Sequence, residues 1–491
     1  MRQADQATIL NTPIASIDLM ERAADECVKR ILTEKPPADT KFLVFCGIGN
    51  NGGDGLVISR LLINSGFSVR CFVLNFSDKH SPDFKMNLER LKEIGHSPTE
   101  IQEASVIPEV SEESWVIDAI FGTGLSRPAE GWVKQVIKQI NRSGARVISV
   151  DFPSGLFSQA PVSDQDAVIR SSLTLTFQQP KLAFLLPSNE QFVGDWEILD
   201  IGLDSSFIDQ FADCHELVDL ELVRAFYKKR NRYSHKGTFG HSLLIGGSFG
   251  KIGAMILASK AALRAGSGLA SAYIPKCGYA ALQGAVPEVM VEVDDENYVQ
   301  FFNFRSKPTA IGIGPGLGMH LKTKKGFVDF LRNHRSPLVL DADAINIISE
   351  HEEIKELIPA NSILTPHPRE FERLTGPWSD DYEKLEMQRD FAKRHNCILI
   401  LKGAFTSIAH GERLYFNGSG NPALATAGSG DVLTGILTGL LAQGYSSFEA
   451  SLLGVYVHGR TGDIATRNNE SEESFVASDI LKYLGRAFNE F

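Results

Sequence analysis

The residues Gly428-Ser429-Gly430-Asp431 open a long apolar stretch, DVLTGILTGLLAQG, whose periodicity predicts a helix. The first backbone N–H groups of a helix lack intrahelical partners, so a glycine-lined start makes a hole for developing negative charge. Asp431, beside that hole, is placed to take a proton from an attacking hydroxyl. The same four residues would also serve as an ordinary helix start, because a carboxylate there is favourable in any protein. Chemistry is favoured by the company they keep. The same half carries IGGSFGKIGA, ending at Ala254, and IGIGPGLG, with Gly312, Gly316 and Gly318. It also carries TPHPREFERLTG, and LKGAFTSIA with Lys402, Gly403, Ala404, Phe405 and Thr406. Lys402-Gly403 ends a strand candidate and is suited to a nucleotide phosphate. His367, fixed between two prolines just after a strand, reads as a ligand contact rather than a neutral bystander. GGSFGK is not a P-loop, because the spacing is wrong and Ile252 follows the lysine.

The other half concentrates its glycines in Gly47-Ile48-Gly49-Asn50-Asn51-Gly52-Gly53-Asp54-Gly55. Glycine lets backbone N–H groups approach a phosphate, and the helix that follows favours an anion. Five glycines in nine residues exceed what a tight strand-to-helix turn requires. The spacing is not G-x-G-x-x-G, so redox use of a dinucleotide does not follow. Asp118, in VIDAIFGTGLSRP, and Asp151 and Ser154, in VDFPSG, stand at two further strand ends. Oxygen ligands suit hard cations, and the low total charge of Asn51, Asp118 and Ser154 points to a monovalent one rather than magnesium. Each could equally stabilise a turn. Gly122 to Pro128 offers backbone donors and Arg127 for a phosphate.

Apolar strands and amphipathic helices must position these turns. FLVFCG, SVRCFVL, SWVIDAIFG, RVISVDF and SSLTLTF read as buried strands, with helical patterns in LVISRLLINSG, FKMNLERLKEIG and WVKQVIKQINRSG between them. The helical SIDLMERAADECVKRIL precedes them. The alternation pauses near residues 204–240, where DSSFIDQFADCHELVDL is expected to end one sheet. It restarts with HSLLIGGS, GLASAYIP, TAIGIGPG, SPLVLDAD, NSILTP and CILILKG. The halves share no motifs, so two different α/β domains are expected, 1–215 and 216–491, each with a parallel sheet covered by helices. A chain of 491 residues has room for both cores. Its net charge of −11 disfavours a nucleic-acid partner. Six scattered cysteines, Cys214 among them, form no C-x-x-C pair and suggest reduced, mostly buried thiols. The N-terminus lacks a secretory signal, and no apolar run is long enough to span a membrane, so a cytoplasmic location is expected.

Together these motifs resemble the bifunctional NAD(P)H-hydrate repair enzymes, over nearly the whole chain. GNNGGDG, DAIFGTGLSRP and VDFPSG look like the epimerase blocks of that family. HKGTFGHSLLIGGS, GPGLG, DADAIN, LTPHPREFERLTG, LKGAFT and AGSGDVLTGILTGLLAQG look like those of its ADP-dependent dehydratase. The resemblance implies an N-terminal Rossmann-like three-layer sandwich and a C-terminal ribokinase-like domain. It implies that hydrated coenzyme is bound in the epimerase by Asn50, Asn51, Gly52, Gly53 and Asp54, and by Gly122, Thr123, Gly124, Leu125, Ser126, Arg127 and Pro128. Asp151 would join them and act as acid–base group, with potassium held by Asn51, Asp118 and Ser154. In the dehydratase, Ala254, Gly316, His367 and Asp431 would face the substrate. Lys402, Gly403, Ala404, Phe405, Thr406 and Gly430 would hold ADP with magnesium. A homo-oligomer is implied as well. Ala427 stands where many relatives are expected to have glycine, a departure that leaves G-S-G-D intact. Two other readings share these features: a ribokinase-like small-molecule kinase with an accessory domain, and a non-catalytic nucleotide sensor.

Overall fold

The computed structural model describes residues 2–103, 107–163, 165–210, 215–294 and 297–491; Cys214, and the residues before it in FADC, lie outside them. The chain forms two compact units, Met1–Ala212 with Asp380–Tyr382, and Asp213–Ser379 with Glu383–Phe491.

The first unit holds seven strands: β1 (Lys41–Cys46), β2 (Ser68–Leu74), β3 (Thr99–Ile101), β4 (Trp115–Ala119), β5 (Arg146–Val150), β6 (Leu173–Phe177) and β7 (Asp195–Leu199). They pair in parallel in the order β3-β2-β1-β4-β5-β6-β7. Side chains alternate across a strand, and both faces are apolar here. Val44 and Cys46 pack with Met20, Ala24, Leu56 and Leu62, from helices Ser16–Thr33 and Asn50–Asn64. Leu43 and Phe45 pack with Val133, Val136, Ile137 and Ile140 of helix Gly131–Arg142 on the opposite face. Full burial of such side chains contributes roughly 1.5–3 kcal/mol each. The result is the expected Rossmann-like three-layer sandwich. Strand order reverses between β1 and β4, the point where open α/β sheets leave a crevice beyond their carboxyl ends. The turns Gly47–Gly55 and Gly122–Pro128 follow those two strands.

The second unit holds β8 (His215–Val218), β9 (His241–Ile245), β10 (Leu269–Ile274), β11 (Met290–Val293), β12 (Ala310–Ile313), β13 (Leu338–Leu340), β14 (Ile363–Leu364), β15 (Ile398–Leu401), β16 (Ser407–His410) and β17 (Arg413–Asn417). Their order is β11-β10-β9-β12-β13-β14-β15-β16-β17-β8. All pairings are parallel except β15–β16 and β16–β17. One expectation fails here. HELV does not end the first sheet: it forms β8, the edge strand of the second, parallel to β17. The order reverses between β9 and β12, so Gly246–Lys251 and Gly314–Gly318 flank the second crevice. DAD, TPHP and LKG end the neighbouring strands on the same side. Helix Ser429–Ala442, apolar on nearly every side, is buried against helix Ile252–Arg264. No helix among the described residues is long and apolar enough to cross a membrane.

Candidate active sites

In the first unit a cavity of about 1010 Å³ opens beyond β1, β4 and β5. Asn50, Asn51, Asp54, the Gly122–Pro128 turn and Asp151 line it. Gly52 and Gly53 do not, and the glycine count has a different cause from the one inferred. A Cβ on Gly52 would fall 1.9 Å from the Gly47 carbonyl oxygen, and one on Gly53 would fall 2.7 Å from Met20 Sδ. Gly47 and Gly55 are equally crowded, by Ile120 O and by Ala119 and Cys46; only Gly49 faces open space. Packing therefore accounts for most of these glycines.

The oxygen-bearing residues lie deeper. Asp118 is fully buried at the end of β4. Its carboxylate accepts from Ser154 Oγ at 2.5 Å, Ser154 N at 2.9 Å and Ser149 Oγ at 2.7 Å. Burial pushes the Asp118 carboxyl above its usual range, and these hydrogen bonds pull against it. Ser154 Oγ also accepts from Phe121 N at 2.8 Å, which ties the β4 and β5 loops together. Asn51 is different: both its amide atoms are buried and lack a hydrogen-bond partner. A Cβ on Gly122 would lie 3.5 Å from Asn51 Cβ and 3.7 Å from Asp151 Oδ2, so Asn51, Gly122 and Asp151 are neighbours. The orphaned Asn51 amide oxygen and the buried Asp118–Ser154 carboxylate–hydroxyl pair are oxygen donors of the kind that fit a hard monovalent cation. Asp54, one-tenth exposed, is pushed well above the carboxylate range by burial, then by Asp151, Asp5 and Asp83.

In the second unit Gly428 adopts φ 87° and caps helix Ser429–Ala442. That left-handed turn suits a residue without a Cβ, and the first amides of the helix, which lack intrahelical partners, follow it. Ser429 is braced from below by His458, whose Nε2 lies 3.1 Å from both Ser429 Oγ and Ser429 O; burial pushes its ring down to about 4, so it is neutral. Asp431 is pushed up to about 6, chiefly by burial and by Asp341, while Lys402 pulls it down. Sequence reasoning quoted Asp341 in DADAIN and gave it no role. Asp341 is 2% exposed and accepts from Thr365 Oγ1 at 2.8 Å, Thr434 Oγ1 at 2.8 Å and Lys402 Nζ at 3.0 Å. Lys402, a quarter exposed, is thus ion-paired with buried Asp341. A Cβ on Gly430 would sit 3.4 Å from Lys402 Nζ, which brings the G-S-G-D and L-K-G turns together. Thr406 Oγ1 closes the LKGAFT turn on Gly403, donating to its carbonyl at 3.1 Å and accepting from its N–H at 3.3 Å.

His367 caps helix Pro368–Thr375. Its Nδ1 accepts from Arg369 N at 3.1 Å and Glu370 N at 3.3 Å, and Glu370 answers by accepting from His367 N at 2.8 Å. That fixes the ring and leaves Nε2, 3.4 Å from Glu370 Oε1, as the nitrogen turned away from the backbone. Across the crevice, a Cβ on Gly316 would lie 3.4 Å from Ala254 Cβ, and Gly316 O accepts from Ser248 Oγ at 2.8 Å. Asp343 accepts from Gly318 N at 2.8 Å and lies 3.6 Å from Lys251 Nζ. Among the described residues, no group of three or more His, Cys, Asp or Glu side chains is spaced to hold a metal ion. The acidic side chains beside Asp431 are committed to protein partners, so magnesium does not fit as a resident ion of these residues.

Known proteins similar to this chain carry the same two halves. The family model described as NAD(P)H-hydrate dehydratase matches residues 242–486, and that described as YjeF-related protein N-terminus matches residues 16–183. The bifunctional NAD(P)H-hydrate repair enzyme Nnr of Moorella thermoacetica is 34% identical, over 99% of this chain and 94% of its own length. That of Escherichia coli K12 is 32% identical, over 96% of this chain and 89% of its own. The second unit has the ribokinase-like fold of the ADP/ATP-dependent NAD(P)H-hydrate dehydratase of Bacillus subtilis, co-crystallised with ATP/Mg2+. That structure matches with TM-score 0.50 and 30% identity, covering 56% of this chain and 98% of that one. With relatives at this identity spanning both units from end to end, the chain belongs to the family of bifunctional NAD(P)H-hydrate repair enzymes.

Proposed function

We propose that the first unit interconverts the R and S epimers of hydrated NADH and NADPH. The second dehydrates the S epimer at the expense of ADP. The observation that carries the reading is Asp431: a carboxyl raised to about 6 at a glycine-capped helix start, within the electrostatic reach of the Lys402–Asp341 pair. Asp431 takes the proton of the substrate hydroxyl as that oxygen attacks the terminal phosphorus of ADP and the bond to AMP breaks. The amides at the helix start and the Lys402 ammonium face the charge that develops. The ring nitrogen then drives out phosphate, and loss of a proton from the adjacent carbon restores the double bond. Products are NAD(P)H, AMP and phosphate. Ala254, Gly316 and His367 Nε2 bound the substrate; Lys402 to Thr406 and Gly430 hold the nucleotide. Magnesium would enter bound to the nucleotide and would neutralise phosphate charge.

In the first unit Asn50, Asn51 and Asp54, at the start of helix Asn50–Asn64 with Gly52 and Gly53 packed between them, and the Gly122–Pro128 turn embrace the hydrated coenzyme, and Asp151 serves as acid–base group. The support for potassium is the orphaned Asn51 amide and the buried Asp118–Ser154 pair; Asn51, Asp118 and Ser154 would hold the cation, which would supply a fixed positive charge. The reading includes a cytoplasmic location, to which the free thiols Cys27, Cys46, Cys71, Cys277 and Cys397 are suited. It also includes self-association. Met290 and Val293 on edge strand β11, with Phe249, Phe301 and Leu321, are exposed apolar side chains of the kind that contacts between copies bury. The partners are small molecules: hydrated coenzyme and ADP, with neither nucleic acid nor membrane.

Incubating the protein with pure S hydrate of NADH, ADP and magnesium tests the second activity. Recovery of the reduced-nicotinamide absorbance with release of AMP and phosphate is expected. A stable phosphorylated product would instead identify a kinase, and nucleotide binding without turnover would identify a sensor.

A further inference from the structure

Lys181 lies in QQPKLAF, just past β6, and its side chain is 9% exposed. Its Nζ donates to Thr176 Oγ1 at 2.8 Å and to the carbonyls of Phe177 and Gln179 at 3.0 Å each. The remaining group in reach is the Asp151 carboxylate, 3.3 Å away. Three neutral acceptors do not cancel a buried ammonium, whose desolvation costs several kcal/mol, so Asp151 is its counter-ion. Asp151 is itself held unusually. Its φ is 61°, in the left-handed region, its N–H donates to Leu175 O at 2.7 Å, and its Oδ1 accepts from Thr176 Oγ1 at 3.4 Å. Such backbone strain persists only where the surroundings over-determine it. Asp151 lines the cavity and Lys181 does not, so Lys181 meets the cavity through Asp151.

The charged groups facing Asp151 from the other elements are carboxyls: Asp5 from helix Arg2–Asn11 and Asp54 from helix Asn50–Asn64. Cys27 from helix Ser16–Thr33 is a thiol that burial keeps neutral. Asp5 and Asp54 are both held above the usual carboxylate range, with burial the first cause. Lys181, 3.3 Å from Asp151, also pulls Asp5 downward through space, but Asp151 is the carboxylate it touches.

We propose that Lys181 is a positioning residue of the first unit: it fixes Asp151 as the proton acceptor of a carboxyl pair in which Asp54 is the donor. This rests on the epimerase reading. The hydrated carbon is a hemiaminal, and the pair opens and recloses it. Asp151 takes the hydroxyl proton, the freed O–H electrons form a carbonyl, and the carbon–nitrogen bond breaks. Its electrons pass to the ring nitrogen, which takes the proton of Asp54. Rotation about the bond to the carbonyl carbon presents the other face. The nitrogen adds back, its proton returns to Asp54, and Asp151 protonates the alkoxide.

The test uses the full chain with R-enriched NADH hydrate, ADP and magnesium, so that epimerisation limits recovery of NADH. Lys181→Met, and Lys181→Gln, which keeps donors for the carbonyls, should lower epimerisation kcat about 10- to 100-fold. KM for the hydrate should change less than about threefold, because Lys181 does not touch substrate. Asp151→Asn should cost at least as much, and adding Lys181→Met to it should cost nothing further. Should Lys181→Gln keep more than half of the wild-type rate, or the two losses multiply in the double variant, the inference is overturned. A wild-type chain that does not outpace spontaneous epimerisation overturns the epimerase reading itself and this inference with it.

Discussion

A carboxylate that removes a proton near neutral pH works best when its own affinity for protons is not too low, and burial is the usual means of raising it. Asp431 meets that demand, at about 6, because burial and Asp341 outweigh the pull of Lys402. The sign follows directly. Below pH about 6 Asp431 holds its proton and cannot act as base, so the dehydration rate should fall about tenfold per pH unit on the acid side and level off above. Lys402→Met removes the cation that lowers Asp431, so its acid limb should shift to higher pH. Asp431→Asn should abolish the limb and lower the rate roughly 10²- to 10⁴-fold, with epimerisation intact. A variant retaining a tenth of the dehydratase rate would exclude Asp431 as base. In the first unit the residue-scale expectation concerns Asn51. Replacing potassium by lithium should slow epimerisation, and Asn51→Leu should weaken activation by potassium about tenfold or more. Identical potassium titrations for wild type and Asn51→Leu would remove Asn51 from the cation site.

Helix Ser429–Ala442 can present its N-terminus to the crevice only because it lies close against helix Ile252–Arg264. A Cβ on Gly435 would fall 2.1 Å from the Ala258 carbonyl oxygen, which is backbone and cannot yield cheaply. Gly435→Ala should therefore destabilise the second unit by about 1–3 kcal/mol, the usual range for overpacking, and lower its melting temperature. An unchanged melting curve would show that the two helices are not so closely held. At this scale the legible elements were those with one dominant signal. Continuous apolar runs gave β1, β2, β4, β5 and β6, and β9, β10 and β12 to β15, because strands buried on both faces have no polar positions to blur them. The strands that escaped were β3 and β7, only partly buried, and β8 and β11 at the edges of the second sheet. HELV and DWEIL carry charges and are only partly buried, so neither shows a continuous apolar run. Strand β16 begins within LKGAFTSIA, which was read for its turn, and β17 lies just beyond it. The site was legible where function and local backbone chemistry coincide, as at G-S-G-D, and misleading where packing imitates function, as in the crowded glycines after β1. The Lys181–Asp151 and Lys402–Asp341 contacts join residues far apart in sequence, which spacing alone does not reveal.

At the scale of the whole molecule, the two units have separate sheets and separate crevices. We propose that a chain divided just ahead of β8, keeping His215–Val218 with β17, gives two pieces that each fold. The C-terminal piece should dehydrate S hydrate at nearly the full-length rate; a folded but inactive piece would mean that its site is shared. The most direct test of the account needs no dissection. A mixed R and S pool of NADH hydrate is given ADP, magnesium and one of four samples: wild type, Asp151→Asn, Asp431→Asn, or both variants together. Wild type should recover NADH from the whole pool in one continuous phase. Asp151→Asn should recover the S fraction and then slow to the spontaneous rate, and Asp431→Asn should recover almost none. The mixed variants should restore complete recovery, since each supplies the activity the other lacks. If the mixture stalls where Asp151→Asn alone stalls, with both proteins folded, the assignment of one activity to each unit is contradicted.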